Sequence, residues 1–263
     1  MRYAIISDIH ANLEALQAVL ADVAQLQVER IVCLGDIVGY HANPAECLAV
    51  VRGLDPIWVA GNHDRAVTGQ ITTAGFSRTA ARAVEWTRPR LSPAELETLA
   101  EMPLRAEING QLLVVHGAWH PETGCETVRL DTDERRRLSF EAIAAHPSGA
   151  RICAFGHTHR AGIYEWCGGD ILRHADDEVA LAANAYYLVN PGTVGEPRSA
   201  DRRATYLLLD LEQRLATIRR IVYDMAPALR KSGKAGLLPR FSFIPVPVRI
   251  ALKRHARALR LSR

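Results

Sequence analysis

Five short apolar runs in this 263-residue chain each end abruptly at a polar motif. They have the length of β-strands and lack the alternation of apolar and polar residues that a half-exposed strand shows. The runs cover residues 3–6, 31–34, 57–60, 112–115 and 152–155. Strands of this kind are covered on both faces, and open α/β sheets bind ligands beyond the carboxyl ends of their strands. We therefore expect the five ends to converge on one site.

Amphipathic segments lie between these runs. The first carries apolar residues on one helical face: Leu13, Leu16, Val19, Leu20, Val23 and Leu26. Asn43 followed by Pro44 predicts a second helix with the asparagine as its N-cap. Ser92 and Glu95 are spaced as a capping box, which predicts the start of another helix. The first crossover is therefore expected to be a βαβ unit.

The second half of the chain is predicted to be rich in antiparallel strands. Asn109-Gly110 is a tight hairpin signal between 106–108 and 112–115, and Gly168-Gly169 is a weaker one between 163–167 and 171–173. Further strands are expected over 185–189, 204–211 and 216–222. No linker or repeat interrupts the chain before residue 225. The prediction is one α/β domain over 1–224, in which two packed mixed sheets are flanked by helices.

Charge is distributed unevenly along the chain. The net charge is +3, yet residues 225–263 hold ten Lys or Arg and no acidic residue, which leaves 1–224 mildly acidic. We expect a basic helical extension over 225–263. At helical spacing within 246–263, one face carries Val248, Ala251, Leu252 and Leu259, and the other carries Arg249, Lys253, Arg257 and Arg260. An anionic membrane or a nucleic acid is the predicted partner, and docking on the acidic body of the same chain explains the pattern equally well.

Three features of the sequence predict a soluble, cytoplasmic chain. The first apolar run is shorter than the 7–15 residues that a signal peptide carries. The longest charge-free stretch, residues 179–195, is interrupted by Asn184, Asn190 and Pro191, unlike a membrane-spanning helix. The five cysteines are odd in number and contain no Cys-x-x-Cys pair, so we expect small buried thiols in a reducing compartment.

The polar motifs at the strand ends gather carboxylates, imidazoles and one amide. They supply Asp8, His10, Asp36, Asn62, His63, Asp64, His116, His157 and His159. Oxygen and imidazole ligands without thiolate suit divalent Mn, Fe, Co, Ni or Zn. One ion cannot use so many ligands, whereas two ions about 3.5–4 Å apart and bridged by a carboxylate can. Taken singly, Asp8, Asn12 and Asp64 could equally be helix N-caps. Independent caps and turns, however, have no reason to supply complementary ligands at five strand ends.

These motifs resemble those of the calcineurin-like metallophosphoesterases in their order and approximate spacing. The motifs are Asp8-x-His10, Gly35-Asp36, Gly61-Asn62-His63-Asp64, His116 and Gly156-His157-x-His159. The resemblance spans residue 3 to about 222, and segment 190–195, which begins Asn190-Pro191-Gly192, is similar to the small bacterial phosphodiesterase-like branch. Five ordered motifs are far more specific than any single one. The resemblance implies a four-layer α/β/β/α sandwich with a dinuclear metal site.

The resemblance also implies a role for each residue. The first metal would be held by Asp8, His10, Asp36 and His159, and the second by Asp36, Asn62, His116 and His157, with Asp36 bridging. His63 would donate a proton to the leaving oxygen or to the phosphate, and Asp64 would orient its imidazole. Mn²⁺ is the expected ion, with Fe, Ni, Co and Zn as alternatives.

The predicted function is hydrolysis of a phosphodiester, or of a small phosphomonoester, through in-line attack by a metal-bridging hydroxide. One alternative is a hydrolase of dinucleoside polyphosphates. Another is a non-catalytic scaffold similar to the retromer subunit of this fold, although the intact His63 and the full ligand set disfavour it.

The sequence departs from the superfamily in one loop. Residues 37–40 lack the Asp-Arg pair by which its protein phosphatases help to hold phosphate, so protein phosphatase activity is not expected. His41 in this loop is predicted either to touch substrate or to be a solvated loop residue. The segment Asn190-Pro191-Gly192 is predicted to form a turn after a strand instead of a phosphate contact.

Overall fold

A computed structural model describes residues 1–238. Its strands are β1 (Arg2–Ile6), β2 (Arg30–Cys33), β3 (Ile57–Trp58), β4 (Arg105–Ile108), β5 (Leu112–Val115), β6 (Ile152–Ala154), β7 (Gly162–Trp166), β8 (Leu172–Arg173), β9 (Glu178–Ala180), β10 (Tyr186–Asn190), β11 (Ala204–Asp210) and β12 (Leu215–Ile221). Its α-helices are α1 (Leu13–Val23), α2 (Pro44–Gly53), α3 (Asn62–Thr68), α4 (Arg78–Thr87), α5 (Pro93–Ala100), α6 (Asp133–Ala144) and α7 (Ala226–Lys234). Short 3-10 helices cover Arg88–Arg90 and Cys125–Thr127.

The strands form two mixed six-stranded sheets, which confirms the predicted architecture. The order is β3-β2-β1-β11-β12-β9 in one sheet and β4-β5-β6-β10-β7-β8 in the other. Parallel pairs join β1 to β2 and β2 to β3 in the first sheet, and β5 to β6 and β6 to β10 in the second. Because parallel strands end at the same edge, each sheet brings several of its carboxyl ends together.

Successive residues of β1 face different cores. Tyr3 and Ile5 pack in a cluster shared by both sheets, whereas Ala4 and Ile6 pack in a second cluster with α1. A third cluster joins the other face of the second sheet to Phe140 of α6. The side chains of residues 3–6 are all fully buried, which explains why this part of the strand reads as a continuous apolar run.

The predicted helix starts differ in how they are capped. Asn12 caps α1, because its Oδ1 accepts a hydrogen bond from the Ala15 amide at 3.1 Å. The predicted capping box of α5 is confirmed: Glu95 Oε2 accepts from the Ser92 amide at 2.7 Å, and Ser92 Oγ accepts from the Glu95 amide at 3.3 Å. Asn43 precedes α2 as predicted but makes no side-chain cap. Its amide group donates instead to Glu46 Oε1 at 2.7 Å.

Helix α7 lies against α1. Lys231 Nζ is 2.7 Å from Glu14 Oε1 and 2.9 Å from Asn43 Oδ1. The amphipathic helix expected over 246–263 lies outside the described residues. Across residues 1–238, none of the helices is both long enough and apolar enough to cross a bilayer.

Candidate metal centre

The loops that follow the strands hold several predicted site residues in a left-handed backbone conformation. The φ angles are 54° at Asp8, 51° at His10, 53° at Asp36, 61° at His157 and 59° at His159. Residues with a Cβ rarely adopt such angles, and the strain concentrates at functional sites. The loops after β1 and β2 hold each other in place, because the Asp8 amide donates to Gly35 O at 3.1 Å and the His10 amide donates to Asp36 O at 2.9 Å.

The first cluster consists of Asp8, His10 and His159, all of them buried. His159 Nε2 lies 3.1 Å from Asp8 Oδ1 and 3.1 Å from His10 Nε2. Asp8 Oδ1 has no hydrogen-bond donor among residues 1–238. The sequence-predicted ligands at the ends of β1 and β6 therefore meet in space.

The tautomers of the two imidazoles follow from their outer partners. His10 Nδ1 lies 3.1 Å from Val38 O, and His159 Nδ1 lies 2.7 Å from Glu196 O. A carbonyl oxygen only accepts, so each Nδ1 carries the proton and each neutral Nε2 directs a lone pair into the cluster. Two lone pairs and a carboxylate oxygen that face one another repel unless a cation lies between them. This arrangement fits a metal ion.

The second cluster consists of Asp36, Asn62, His116 and His157. His116 Nε2 lies 3.4 Å from Asp36 Oδ2 and 3.2 Å from Asn62 Oδ1, while its Nδ1 donates to Leu34 O at 2.6 Å. Asp36, His116 and His157 each offer a ligand atom, and these three atoms lie within 4.8 Å of one another. The Nε2 of His116 thus faces the carboxylate and amide oxygens of its own cluster, in the position of a ligand nitrogen.

Asp36 lies between the two clusters. Its Oδ2 is 3.6 Å from His10 Nε2 of the first cluster and 3.4 Å from His116 Nε2 of the second. Its Oδ1 accepts a hydrogen bond from the His63 amide at 2.8 Å. A Cβ at Gly61 would lie only 2.1 Å from this oxygen, so the residue before Asn62 must be glycine. One carboxylate is thus positioned to serve both clusters.

The buried carboxylates make this site attractive to a cation. Burial opposes ionisation of Asp36, but the charge of the His116 imidazole and its hydrogen bond outweigh burial and hold the pKa of Asp36 below its usual value. Burial likewise opposes a charged His116, yet the Asp36 carboxylate raises the pKa of His116 to about 9. A proton and a metal ion therefore compete for the same Nε2.

Asp64 does not contact the imidazole of His63, so the predicted orienting role is wrong. Its carboxylate accepts from four backbone amides, those of Asp36 (2.7 Å), Ile37 (3.0 Å), Val38 (3.2 Å) and Gly61 (3.0 Å). Burial and the neighbouring Asp36 raise the pKa of Asp64 to about 6. Asp64 therefore positions the loop that carries Asp36.

His63 is buried beside both clusters, and its ring centroid lies 4.8 Å from that of His10. The rings of Tyr40 and Phe76 pack at 4.9 Å and 5.1 Å. Its Nδ1 has no hydrogen-bond partner within residues 1–238 and faces Gly39, where a Cβ would approach it to 2.4 Å. Burial lowers the pKa of His63 to about 3, so the imidazole is neutral at pH 7.

His41 is buried and paired, so both predictions for it are wrong. Its Nδ1 lies 2.9 Å from Ser232 Oγ of α7, and its Nε2 lies 3.0 Å from Glu196 Oε2. The predicted turn at Asn190 is confirmed, because Asn190 Oδ1 accepts from the Gly192 amide at 2.8 Å.

A cleft of about 670 Å³ opens beside the clusters. Four of the predicted site residues line it, namely Asp36, Asn62, His63 and His157. Tyr40, Ile71 and Phe76 form an apolar wall, and Arg129 and Arg198 add positive charge. Sequence reasoning missed these wall residues, and Glu196 as well, because they come from loops whose paths no local pattern specifies.

Comparisons with known proteins agree on one family. A model of the calcineurin-like phosphoesterase superfamily domain matches residues 1–214. The chain is 34% identical over 235 residues to an uncharacterized protein of Methanocaldococcus jannaschii, across 88% of this chain and 91% of that protein. A metallophosphoesterase structure from Sphaerobacter thermophilus is 34% identical, with a TM-score of 0.75 over 91% of this chain and 95% of that one. A hypothetical protein from Pyrococcus horikoshii OT3 shares the fold at 17% identity, with a TM-score of 0.70 over 91% and 94% of the two chains.

Proposed function

Because this chain belongs to the calcineurin-like phosphoesterase superfamily and is a metal-dependent phosphoesterase, we propose that it is a phosphodiesterase with two metal ions and with His63 as proton donor. The observation that carries the proposal is the pair of imidazole lone pairs, on His10 and His159, that face each other across 3.1 Å beside Asp8 Oδ1. As long as both imidazoles are neutral, neither Nε2 can donate a hydrogen bond to the other or to the carboxylate oxygen.

The proposed ligands divide between two ions that share one carboxylate. The first ion is assigned to Asp8, His10, Asp36 and His159, and the second to Asp36, Asn62, His116 and His157. Two divalent cations held by these residues would lower the pKa of water and neutralise charge on the phosphate. The donors are oxygen and imidazole without thiolate, a set that suits Mn²⁺, Fe, Co, Ni and Zn, and Mn²⁺ is the ion we propose to test first.

His63 is proposed to act on the phosphate group or on the leaving oxygen. The imidazole is neutral before substrate arrives, since burial lowers its pKa to about 3. An anionic phosphate in the cleft favours the protonated imidazole through its charge, and the proton can then pass to the leaving oxygen. Gly39 and the rings of Tyr40 and Phe76 fix the orientation of the imidazole.

The cleft favours a diester over a phosphoprotein. Ile71 and Phe76 line the space beside the metal clusters and can receive a second organic group. The loop 37–40 carries no arginine that could hold the phosphate of a phosphoprotein. The carboxylate of Asp64, which supports this loop, accepts hydrogen bonds from four backbone amides. Small phosphodiesters with an apolar ester group are therefore the proposed substrates.

Metal analysis combined with a substrate panel tests this function. Chelation should abolish hydrolysis of bis(p-nitrophenyl) phosphate, and Mn²⁺ should restore it. The panel should include a phosphomonoester, a dinucleoside polyphosphate and a phosphopeptide, with the diester expected to have the highest kcat/KM. Full activity in the metal-free protein would end the two-metal proposal.

A cytoplasmic location is also proposed. All five cysteines are free, and four of them are buried, as expected for thiols in a reducing compartment. Contact of residues 246–263 with an anionic membrane or nucleic acid stays a prediction, because that segment lies outside the described residues.

A further inference from the structure

A second pocket, of about 370 Å³, adjoins the metal centre and is rich in arginine. His159 of the first metal cluster lines it. Its arginines are Arg160, Arg173, Arg198, Arg203 and Arg220. Arg198 also lines the cleft that contains His63, so the two cavities share this side chain.

Two of these arginines are neutralised by carboxylates. Arg203 pairs with Asp201 at 2.7 Å, and Arg220 pairs with Asp177 at 2.7 Å. By contrast, Arg160, Arg173 and Arg198 form no salt bridge with any carboxylate of residues 1–238. Residues 239–263 contain no Asp or Glu that could supply one. Asp201, the partner of Arg203, also lines the pocket, so one lining carboxylate stands against five arginines, three of which form no salt bridge within the described part of the chain.

Arg198 marks the junction of the pocket with the metal centre. Its guanidinium donates to the hydroxyl of Tyr40 at 3.4 Å, and the Tyr40 ring lies 4.6 Å from the His10 ring. Arginines that line one pocket without an acidic partner present positive charge to an incoming anion. Their planar donor forks match the oxygens of a phosphate group.

We propose that this pocket binds a second phosphate group of the substrate, so that the preferred substrates carry one phosphate beyond the phosphate that is cleaved. The proposal rests on the proposed function, because that function places the scissile phosphate at the metal clusters. The substrate class is then an organic phosphodiester with a terminal phosphate, such as a phosphorylated nucleotide ester.

Two nucleotide esters that differ by one phosphate test the pocket. The substrates are thymidine 5′-(p-nitrophenyl phosphate) and the same ester with a 3′-phosphate. For the wild type, the 3′-phosphate should raise kcat/KM about ten- to hundredfold, mainly through KM, as expected for one or two charge-assisted hydrogen bonds. In the Arg160→Ala/Arg173→Ala variant the ratio between the two esters should fall to about one. The Arg160→Lys/Arg173→Lys variant should keep part of the increase in kcat/KM that the 3′-phosphate causes, because the positive charge remains.

Binding measurements separate this proposal from the proposed function. Calorimetry with the Mn²⁺-loaded protein compares thymidine 3′,5′-bisphosphate with thymidine 5′-monophosphate, and needs no turnover. Tighter binding of the bisphosphate to the wild type, lost in the alanine variant, supports the pocket even if neither ester is hydrolysed. Equal affinities in the wild type, or an unchanged ratio in the folded alanine variant, would overturn the proposal while diester hydrolysis could still stand. Arg30→Ala is the matched control, since this arginine pairs with Asp55 away from the site.

Discussion

The hydroxyl of Ser232 lies 2.9 Å from Nδ1 of His41, so the last described helix is bonded to the loop that leaves the metal centre. The other ring nitrogen of His41 contacts Glu196, whose carbonyl oxygen accepts from His159 at 2.7 Å. The His41 amide also donates to His10 O at 3.1 Å. Helix α7 lies beyond residues 1–214, which the family model matches. Through His41 it is linked by hydrogen bonds to the segments that hold His10 and His159, two of the proposed metal ligands.

Ser232→Ala should weaken this support without removing any ligand. We expect the free energy of unfolding to fall by about 1 kcal/mol and the affinity for Mn²⁺ to fall about three- to tenfold, since partners behind a ligand tune its geometry. Urea denaturation and metal titration measure the two effects. Ser148→Ala is the control, because Ser148 makes a similar 2.8 Å contact with His146 at the opposite end of β6. Equal losses of metal affinity in both variants would contradict the role of α7.

Asp36→Asn should be the most damaging change of a ligand. The carboxylate lies within 3.6 Å of an imidazole nitrogen from each cluster, so its loss should leave less than one ion per chain. Asp8→Asn should remove only the first ion, because Asp8 belongs to one cluster. Elemental analysis after gel filtration gives the metal content of each variant. Two tightly bound ions and normal turnover in Asp36→Asn would show that Asp36 is not the bridge.

His63→Ala should separate catalysis from metal binding. Turnover is expected to fall by about 10²–10⁴-fold, the range for a positioned proton donor, while the metal content stays that of the wild type. The loss should be larger for alkyl esters than for nitrophenyl esters, whose leaving groups need no proton. An equal loss for both ester types would indicate a purely electrostatic role for the imidazole.

Asp22→Asn should reduce stability in a pH-dependent way. Burial opposes ionisation of Asp22, but hydrogen bonds from Arg219 and Tyr206 lower its pKa below the unfolded value. The stability that ionised Asp22 contributes is therefore fully present above its unfolded pKa of about 4, and it is lost as the pH falls through the lower pKa of the folded state. At pH 7 the variant should lose about 1 kcal/mol or less, because the pair is partly exposed.

Urea denaturation at pH 7 and at pH 3 measures this change, and the difference from the wild type should shrink at pH 3. Asp55→Asn is the control, since the Asp55 side chain is 98% exposed. A difference that grows as the pH falls would contradict the assignment.

The ligand clusters could be predicted from the sequence because their chemistry and their position at strand ends are both local. The role of Asp64 could not be predicted in this way. Its adjacency to His63 suggested a pair, but both residues lie in the first turn of α3, where consecutive side chains point in different directions. Asp64 therefore turns back to the Gly61 amide, and His63 turns towards the cleft.

Contacts made by backbone atoms could not be predicted from the sequence either. The carbonyl groups of Val38 and Glu196 set the tautomers of two imidazoles, yet any residue type supplies such a carbonyl. Strand β9 could not be predicted from the sequence, because only one of its three residues, Val179, is buried and a single apolar residue forms no strand pattern. Arg198 and Phe76 reach the cleft from loops, so only the assembled fold reveals them.

The left-handed backbone at Asp8, Asp36 and His159 has a consequence for engineering. Glycine adopts this conformation without strain, so replacing one of these residues by glycine relieves roughly 1 kcal/mol of backbone strain, but it also removes a buried side chain with its hydrogen bonds and packing. The backbone at these positions is therefore held in its strained form by the contacts of the ligand side chains themselves. Selection in the presence of Mn²⁺ couples ligand retention to survival on heating, because binding energy then counts toward the folded state.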